Sequence, residues 1–210
     1  MNVLAPFVMC AVLTAPGLAL AQAAPTTPVN DRPADTFEEI ERGLYFSVSA
    51  GPSFILNPPA PSGATRPFSP GQAAQLEVGM DLGERLSLGL FVLGSTNRAG
   101  SEYVGFSGGA ASGDFSMLAP GAVVRAHLVG FEDAQDIQRT WLYVRGGAAY
   151  AFFSPKLLLP DPDILVFAGP GVEYYTRLRH FSVGIEVTGT FLVSSQSIGF
   201  AVSPNLRYAF

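Results

Sequence analysis

The chain has 210 residues, of which 48% are hydrophobic and only 14% are charged, with a formal net charge of −5. The low charged fraction is atypical of a soluble domain, and the negative charge argues against nucleic-acid binding, which needs a basic face. No internal run approaches the roughly 20 apolar residues of a membrane helix. A hydrophobic chain of this kind fits a transmembrane β-barrel, in which apolar and polar residues interleave.

The N-terminal segment differs from the rest of the chain. Residues 1–21 carry no charge and end in Ala19-Leu20-Ala21, a spacing of small residues that is typical of signal-peptide cleavage. We therefore predict a signal peptide at 1–21. Cys10 lies inside it, so the mature chain is predicted to contain no thiol. Residues 22–42, rich in Ala, Pro and Thr and then acidic, are predicted to form a periplasmic tail before a barrel domain at 43–210.

Between residues 43 and 210, stretches of alternating apolar and small or polar residues repeat eight times. Alternation with a period of two is typical of a strand with one apolar face. The stretches run about nine to thirteen residues, the length a tilted strand needs to cross the hydrocarbon layer. The sequence predicts an all-β fold, a single eight-stranded antiparallel transmembrane barrel in the outer membrane. The predicted strands cover 43–54, 75–82, 86–96, 114–128, 141–153, 164–176, 181–192 and 198–210.

The connections between these strands alternate in length. Long loops are predicted at 55–74, 97–113 and 154–163, with a short one at 193–197. They interleave with mostly shorter turns at 83–85, 130–139 and 177–180. Outer-membrane barrels have long external loops and short periplasmic turns, so both termini are predicted to lie in the periplasm. The 130–139 connection is long for a periplasmic turn.

The last predicted strand has a second feature. Leu206, Tyr208 and Phe210 are apolar at alternate positions, and Phe210 is the final residue. This pattern resembles the C-terminal signal that the barrel-assembly machinery of the outer membrane reads. The three residues are therefore predicted to form a barrel-assembly signal, with that machinery as a partner during biogenesis and outer-membrane lipid as the surroundings of the mature barrel.

The charges on the predicted strands all fall on the face away from lipid. A slip of one residue in register would place every one of them in lipid. Because eight strands leave a lumen barely wide enough for side chains, these acids and bases are predicted to neutralise one another as buried ion pairs rather than to form an ion pathway. The predicted lumen charge cluster consists of Glu77, Asp81, Arg125, Arg145, Glu173, Glu186 and Arg207.

His127 is the histidine within a predicted strand, and it raises the possibility of catalysis. A lipid-modifying enzyme would use such a histidine with Ser87 or Ser182 and an acid such as Glu186, all of which face inward. The sequence contains no recognisable hydrolase motif. His127 is therefore predicted to line the lumen or to form an ion pair, and no catalytic residue is predicted.

Metal and cofactor sites are not predicted either. His127 and His180 are too few ligands of the preferred types for a zinc site. Asp161-Pro162-Asp163 lacks the further ligands of a calcium loop and is predicted to be a solvated turn. Trp141 falls inward in the predicted register and is expected to help fill the lumen.

Five phrases of the sequence go beyond the chemistry shared by all barrels. The phrases are FEEIERGLYFSVSAGPSF (37–54), TRPFSPGQ (65–72), GGAASGDFS (108–116), ILVFAGPGVEYYTRLRHFSVGIEVTG (164–189) and SPNLRYAF (203–210). Together they resemble the CglE family, outer-membrane components of adventurous gliding motility in gliding bacteria. The resemblance implies membership in an envelope-spanning gliding machinery, beside other outer-membrane barrels and lipoproteins, and it brings no catalytic residues.

Three functional hypotheses follow. The leading one is a non-enzymatic subunit whose barrel is an anchor or scaffold and whose tail and loops form the contact surfaces. The first alternative is a small outer-membrane channel or porin, which the lumen charges suggest. The second is a lipid-modifying enzyme, which only His127 suggests. The near balance of acids and bases in the predicted lumen favours a filled barrel over a channel.

Overall fold

The computed structural model describes residues 40–56, 68–99, 113–134, 136–156, 159–178 and 180–210. These residues form a closed antiparallel barrel in which each strand pairs with the next and the last pairs with the first, so the predicted fold class is confirmed. No described helix is long and apolar enough to cross a membrane. The strands are β1 (Leu44–Leu56), β2 (Phe68–Leu82), β3 (Leu86–Ala99), β4 (Gly113–Glu132), β5 (Gln138–Ser154), β6 (Asp163–Tyr175), β7 (Phe181–Leu192) and β8 (Ser197–Ala209).

The barrel has two ends, which we call the terminus end and the loop end. The terminus end carries the start of β1, the end of β8 and the β2–β3, β4–β5 and β6–β7 connections. The loop end carries the other connections. The predicted signal peptide at 1–21 and the part of the predicted tail at 22–39 lie outside the described residues.

The two longest predicted loops are shorter than the sequence indicated. The loop predicted at 55–74 was wrong at both edges, since β1 continues to Leu56 and β2 already begins at Phe68. The loop predicted at 97–113 was wrong in the same way, because β3 continues to Ala99. Alternation fails in these extensions, because Phe54, Ile55 and Leu56 are consecutive apolar residues and the polar pair Asn97-Arg98 precedes the last residue of β3. The remaining loop residues, 57–67 and 100–112, lie outside the described part of the chain.

The connection predicted at 130–139 is instead a tight turn. β4 continues to Glu132 and β5 begins at Gln138, which leaves only 133–137 between the strands. A register shift between His127 and Val129 interrupts the alternation in β4. This bulge places two consecutive residues, Leu128 and Val129, on the exposed side of the strand. A search for strict alternation therefore ends the predicted strand at Leu128, although β4 continues. The structure thus accounts for the unusual length of this predicted connection.

The outer face of the barrel is apolar. The inner face is largely polar in the half near the terminus end. In β6 the exposed residues Ile164, Val166 and Val172 alternate with buried ones. In this arrangement each strand is hydrogen-bonded to a strand on either side, and apolar side chains face the surroundings. A bilayer requires both properties. Other exposed apolar side chains include Leu76, Val78, Met80, Leu88, Leu90, Val92, Leu118, Val144, Tyr150, Ile185, Val187, Phe200 and Leu206.

Prolines occupy outward positions within five strands, and four of them lie at gaps in the ladder. Pro52 in β1 and Pro204 in β8 flank one gap, between the pairs Ser49–Asn205 and Ser53–Ala201. Pro120 in β4 and Pro170 in β6 lie in equivalent gaps with β5 and β7, whereas Pro70 in β2 leaves the register with β1 unbroken. Proline has no N–H to donate, so it removes a hydrogen bond of the ladder where it faces a partner strand. The alternation of hydrophobicity survives these gaps, which is why the register was predictable.

The C-terminal residue contributes to barrel closure mainly through its backbone. The N–H of Phe210 donates to the carbonyl of Leu44 at 2.9 Å. Its side chain is 67% exposed and touches the Tyr208 ring, with centroids 5.0 Å apart. The aromatic side chain is therefore nearly free of contacts within the described barrel.

We expect Phe210→Ala to lower the amount of folded barrel in the membrane several-fold while it changes the unfolding free energy by only about 0.5 kcal/mol. The reason is that the exposed ring contributes little to the folded state but completes the predicted assembly signal. Heat-modifiable gel mobility of membrane fractions measures the yield, and urea unfolding of the purified barrel measures stability. An unchanged yield would contradict the predicted role of Leu206, Tyr208 and Phe210 in assembly.

Candidate functional site

The structure places all seven residues of the lumen charge cluster inside the barrel. They come from β2, β4, β5, β6, β7 and β8, and their side chains are at most 4% exposed. Each strand contributes them at alternate positions, between outward apolar residues. The narrow lumen therefore brings together charges that lie more than a hundred residues apart in the chain, such as Asp81 and Arg207.

Glu173 is the centre of one half of the cluster. Its Oε2 accepts from Arg125 Nη1 at 3.3 Å and lies 3.0 Å from Nε2 of His127. Its Oε1 accepts from the hydroxyl of Ser182 at 2.6 Å, and Nη1 of Arg207 is 3.8 Å away. Glu173 is fully buried. A carboxylate in such a place is stable only because charged and hydrogen-bonding partners surround it.

Arg145 is the centre of the other half. Its guanidinium lies between two acids, with Nη2 3.1 Å from Glu77 Oε2 and Nη1 hydrogen-bonded to Glu186 Oε1. Glu77 also accepts from Tyr45 at 2.7 Å, and Glu186 accepts from Tyr143 at 3.2 Å. One arginine thus holds β2, β5 and β7 together across the lumen.

Asp81 and Arg207 extend the network towards the terminus end. Arg207 Nη2 is hydrogen-bonded to Asp81 Oδ1, which also accepts from the Ser87 hydroxyl at 2.7 Å. The other oxygen of Asp81 faces the N–H of Gly43 at 3.4 Å. With these contacts, all eight carboxylate oxygens of the four acids in the cluster accept a hydrogen bond. The lumen acids are therefore fully satisfied by the protein itself.

Aromatic rings fill the space around the arginines. Arg207 lies 3.7 Å above the centroid of the Tyr45 ring, and Arg125 lies 4.5 Å from that of Tyr143. Glycines in the neighbouring strands make room for these rings. A Cβ at Gly79 would overlap the Tyr45 ring, and a Cβ at Gly171 would overlap the Tyr143 ring. The two glycines therefore determine where the tyrosines, and with them the arginines, lie.

The serines and the histidine that a hydrolase would use do not contact one another. Ser182 donates its hydroxyl to Glu173, and His127 binds the other oxygen of the same carboxylate. Ser87 donates to Asp81. A nucleophilic serine needs its hydroxyl on a general base such as histidine. Within the described residues, His127 is an ion-pairing side chain of a buried network, and no serine is activated by it.

The lumen changes character towards the loop end, which the sequence did not predict. There the inward residues form an apolar cluster that includes Phe91, Phe115, Phe153, Leu165 and Phe167. Leu159, from the connection between β5 and β6, is 2% exposed and closes this cluster from above. The barrel thus has a charged layer near the terminus end and an apolar layer near the loop end.

A small cavity of about 60 Å³ lies between the two layers. The hydroxyls of Ser53 and Ser95 line it, are buried, and have no hydrogen-bond partner among the described residues, while Leu93 and Phe167 line its apolar side. A buried hydroxyl needs a partner, and a cavity of this size has room for about two water molecules. The cavity is a void within a filled lumen rather than part of a wide channel.

Two buried charges, Arg139 and Asp163, were missed by the sequence analysis. Arg139 lies in the predicted 130–139 connection but is buried, with Nε 2.8 Å from Asp133 Oδ2. It continues the inward series of Trp141, Tyr143 and Arg145 in β5, and this continuity was the available signal. Trp141 is inward, as predicted, and its Nε1 donates to the carbonyl of Gln138 at 2.9 Å.

The prediction that 161–163 is a solvated turn was wrong for Asp163, which is 1% exposed. Its oxygens accept from the N–H groups of Ser194 at 2.7 Å and Ser195 at 3.0 Å, so Asp163 fastens the β7–β8 turn to the start of β6. Asp161 accepts from the N–H of Phe153, and this bond together with Lys156 lowers the pKa of Asp161. Both carboxylates thus stabilise connections between strands.

Among the described residues, no group of three or more His, Cys, Asp or Glu side chains is placed to hold a metal ion.

Comparison with known proteins identifies the fold but not a family. No protein-family model matches the sequence, and no curated protein matches it significantly. The structure is similar to Neisserial surface protein A (NspA), with a TM-score of 0.60 and 13% identity over 82% of this chain and 100% of that one. It is also similar to the outer membrane protein OprG from Pseudomonas aeruginosa, with a TM-score of 0.51 and 10% identity over 82% of this chain and 99% of that one. The chain is therefore an eight-stranded β-barrel of the outer-membrane type.

We expect Arg145→Met to destabilise the barrel by about 3–5 kcal/mol, because it leaves Glu77 and Glu186 as uncompensated buried charges. The triple variant Arg145→Met, Glu77→Gln, Glu186→Gln should recover a large part of this loss, since it removes the charges together. Unfolding in urea followed by gel mobility measures both. Lys156→Met, at an exposed residue, is the control. If Arg145→Met is as stable as this control, the ion pairs do not hold the lumen together.

Proposed function

We propose that this protein is a non-enzymatic outer-membrane barrel subunit of an adventurous gliding motility machinery. In this proposal the barrel is an anchor or scaffold, and surfaces outside the lipid contact the rest of the machinery. The observation that carries the scaffold function is the complete hydrogen bonding of the four lumen acids, which leaves the buried charges engaged in structure. The gliding role rests on the resemblance of the five sequence phrases to the CglE family.

The proposed location is the outer membrane, with the terminus end in the periplasm. The apolar outer face and the fold support the membrane location. The short turns at 83–85 and 133–137 support the periplasmic orientation, because periplasmic turns of such barrels are short. Export would use the predicted signal peptide at 1–21. The proposed partners are outer-membrane lipid, other barrels and lipoproteins of the gliding machinery, and the barrel-assembly machinery during biogenesis.

The two alternative functions have less support. A channel would need a continuous polar path, whereas the apolar layer around Phe91 and Phe167 lies above the charged layer. A lipid-modifying enzyme would need an activated nucleophile, whereas Ser182 and His127 both bind Glu173. A barrel this narrow contributes to a larger assembly through its surfaces.

We expect the purified barrel to show no steady ion conductance in planar bilayers, because the apolar layer offers no site for a hydrated ion. The control is Phe91→Gly with Phe167→Gly, a pair of substitutions that empties the middle of the lumen and should raise the frequency of current steps. Steady conductance of the unmodified barrel would contradict the scaffold function and favour the channel.

We expect gliding to depend on the external loops and not on His127. In a gliding strain that lacks the endogenous gene, the loops at 57–67 and 100–112 are replaced by short Gly/Ser turns, and single-cell gliding is measured after barrel assembly has been verified. The shortened loops should reduce the gliding fraction several-fold because rigid barrels place function on their connections.

The matched control for hidden catalysis is His127→Gln, which keeps a donor for Glu173 but removes the imidazole base. Normal gliding of this variant is expected. Normal gliding with shortened loops, combined with loss of gliding in His127→Gln, would refute the scaffold function and support an enzyme.

A further inference from the structure

At the terminus end, β4 continues past the end of its pairing with β3, while on its other side β5 stays paired with β6 as far as Thr140 and Tyr174. The last backbone contact on the β3 side of β4 is the bond from the N–H of His127 to the carbonyl of Arg85, at 2.7 Å. β4 then continues through five more residues, 128–132, or about 15 Å along the strand. We call residues 128–132 the β4 edge. In the described part of the chain, no strand pairs with its β3 side.

The β4 edge has the two properties of a strand that accepts another strand. Its backbone N–H and C=O groups on one side are available, and such an unpaired edge is a template for an added strand. Its outward side chains are also apolar. Val129 is 48% exposed and Phe131 is 50% exposed, although both lie past the level where β3 ends. Natural proteins usually protect exposed edges of this kind with charge, proline or a cover, so an apolar one is a candidate interface.

Contacts within the barrel hold the hairpin in place. Asp133 and Ile137 are joined by a backbone bond of 2.9 Å, and Arg139 Nε holds the Asp133 carboxylate at 2.8 Å. Arg139 Nη1 also donates to the carbonyl of Thr176, which fastens the hairpin to the next turn. Trp141 anchors it from inside through Gln138. A preformed edge loses little conformational entropy when it binds, which favours its use as a docking site.

The charge of the hairpin indicates the chemistry of its occupant. Glu132 and Asp136 are exposed acids, whereas Arg139, the single base of residues 128–139, is buried against Asp133. The adjacent β2–β3 turn contributes one exposed acid and one exposed base, Glu84 and Arg85, which offset each other. Arg42 also lies there and donates to the carbonyl of Glu84 at 2.6 Å, so the two exposed acids of the hairpin outnumber this one additional base. An extended segment with basic side chains would therefore be attracted to this edge, and one with acidic side chains would be repelled.

We propose that the β4 edge binds an extended, basic segment of a periplasmic protein, which adds to the barrel as a short β-strand. Backbone hydrogen bonds along 128–132 supply affinity, the apolar contacts of Val129 and Phe131 supply an anchor, and Glu132 and Asp136 select for lysine or arginine. This inference rests on the proposed scaffold function and specifies one of its contact surfaces.

The test uses the full mature chain in nanodiscs of phosphatidylcholine, a lipid without net charge, and three short fluorescent peptides. The first alternates lysine and valine, the second is the same peptide with N-methylated backbone amides, and the third alternates glutamate and valine. Fluorescence anisotropy measures binding. We expect the lysine–valine peptide to bind, and the other two to bind at least about tenfold more weakly.

Two matched variants locate the binding. Phe131→Ser removes the apolar anchor at the β4 edge and should weaken binding of the lysine–valine peptide at least about fivefold. Leu178→Ser changes an exposed apolar residue in the neighbouring β6–β7 turn and should leave binding unchanged. Thermal unfolding of both variants verifies that each barrel is folded. Equal binding of all three peptides, or full binding to Phe131→Ser, would overturn the proposal.

Two other occupants of the β4 edge are distinguished in the same experiment. If the peptide binds only to a chain that lacks residues 22–36, the N-terminal segment of the protein itself covers the edge, and the proposal is overturned. It is also overturned if the barrel is a dimer that Phe131→Ser dissociates. Each of these outcomes leaves the scaffold function intact, because gliding and conductance test that function separately.

Discussion

The structure depends on the fact that a closed barrel of eight strands leaves almost no space in its lumen for solvent. Every charge that a strand carries inward must therefore find its partner on another strand. Glu173 and Arg145 meet this requirement by binding several strands each, and the four acids leave no carboxylate oxygen unsatisfied. The side that faces outward has a related constraint. Lipid offers no hydrogen bonds, so the backbone groups of the strands must pair with one another in a closed ladder.

The division of the lumen into two layers connects this packing to function. Ion pairs hold the strands together near the terminus end, and apolar side chains fill the lumen near the loop end. The two layers meet at Arg145, whose guanidinium lies 5.3 Å from the centroid of the Phe167 ring. The buried residues therefore hold the strands together.

The two ends of the barrel differ in how their backbone groups outside the ladder are hydrogen-bonded. At the loop end, Asp163 binds the N–H groups of the β7–β8 turn, and Leu159 covers the apolar layer. At the terminus end, Asp133 and Arg139 hold the β4–β5 hairpin, yet no strand of the described residues lies beside the β4 edge. This combination distinguishes the hairpin from the compact turns around it.

The pattern of residues along the chain is sufficient to predict the strand number, the register and which charges of the lumen cluster face inward, because side chains alternate strictly across a strand and lipid tolerates no charge. The prediction fails where that alternation stops, at the bulge after His127, which hid the true end of β4, and in the first residues of β2, 68–74. The partners within the lumen follow from the tertiary structure. Whether Glu77 binds Arg145 or Arg125 depends on the stagger between strands and on the space that Gly79 and Gly171 leave for tyrosine rings. Alternation along one strand specifies a face, but contacts across a barrel arise from the positions of all eight strands together.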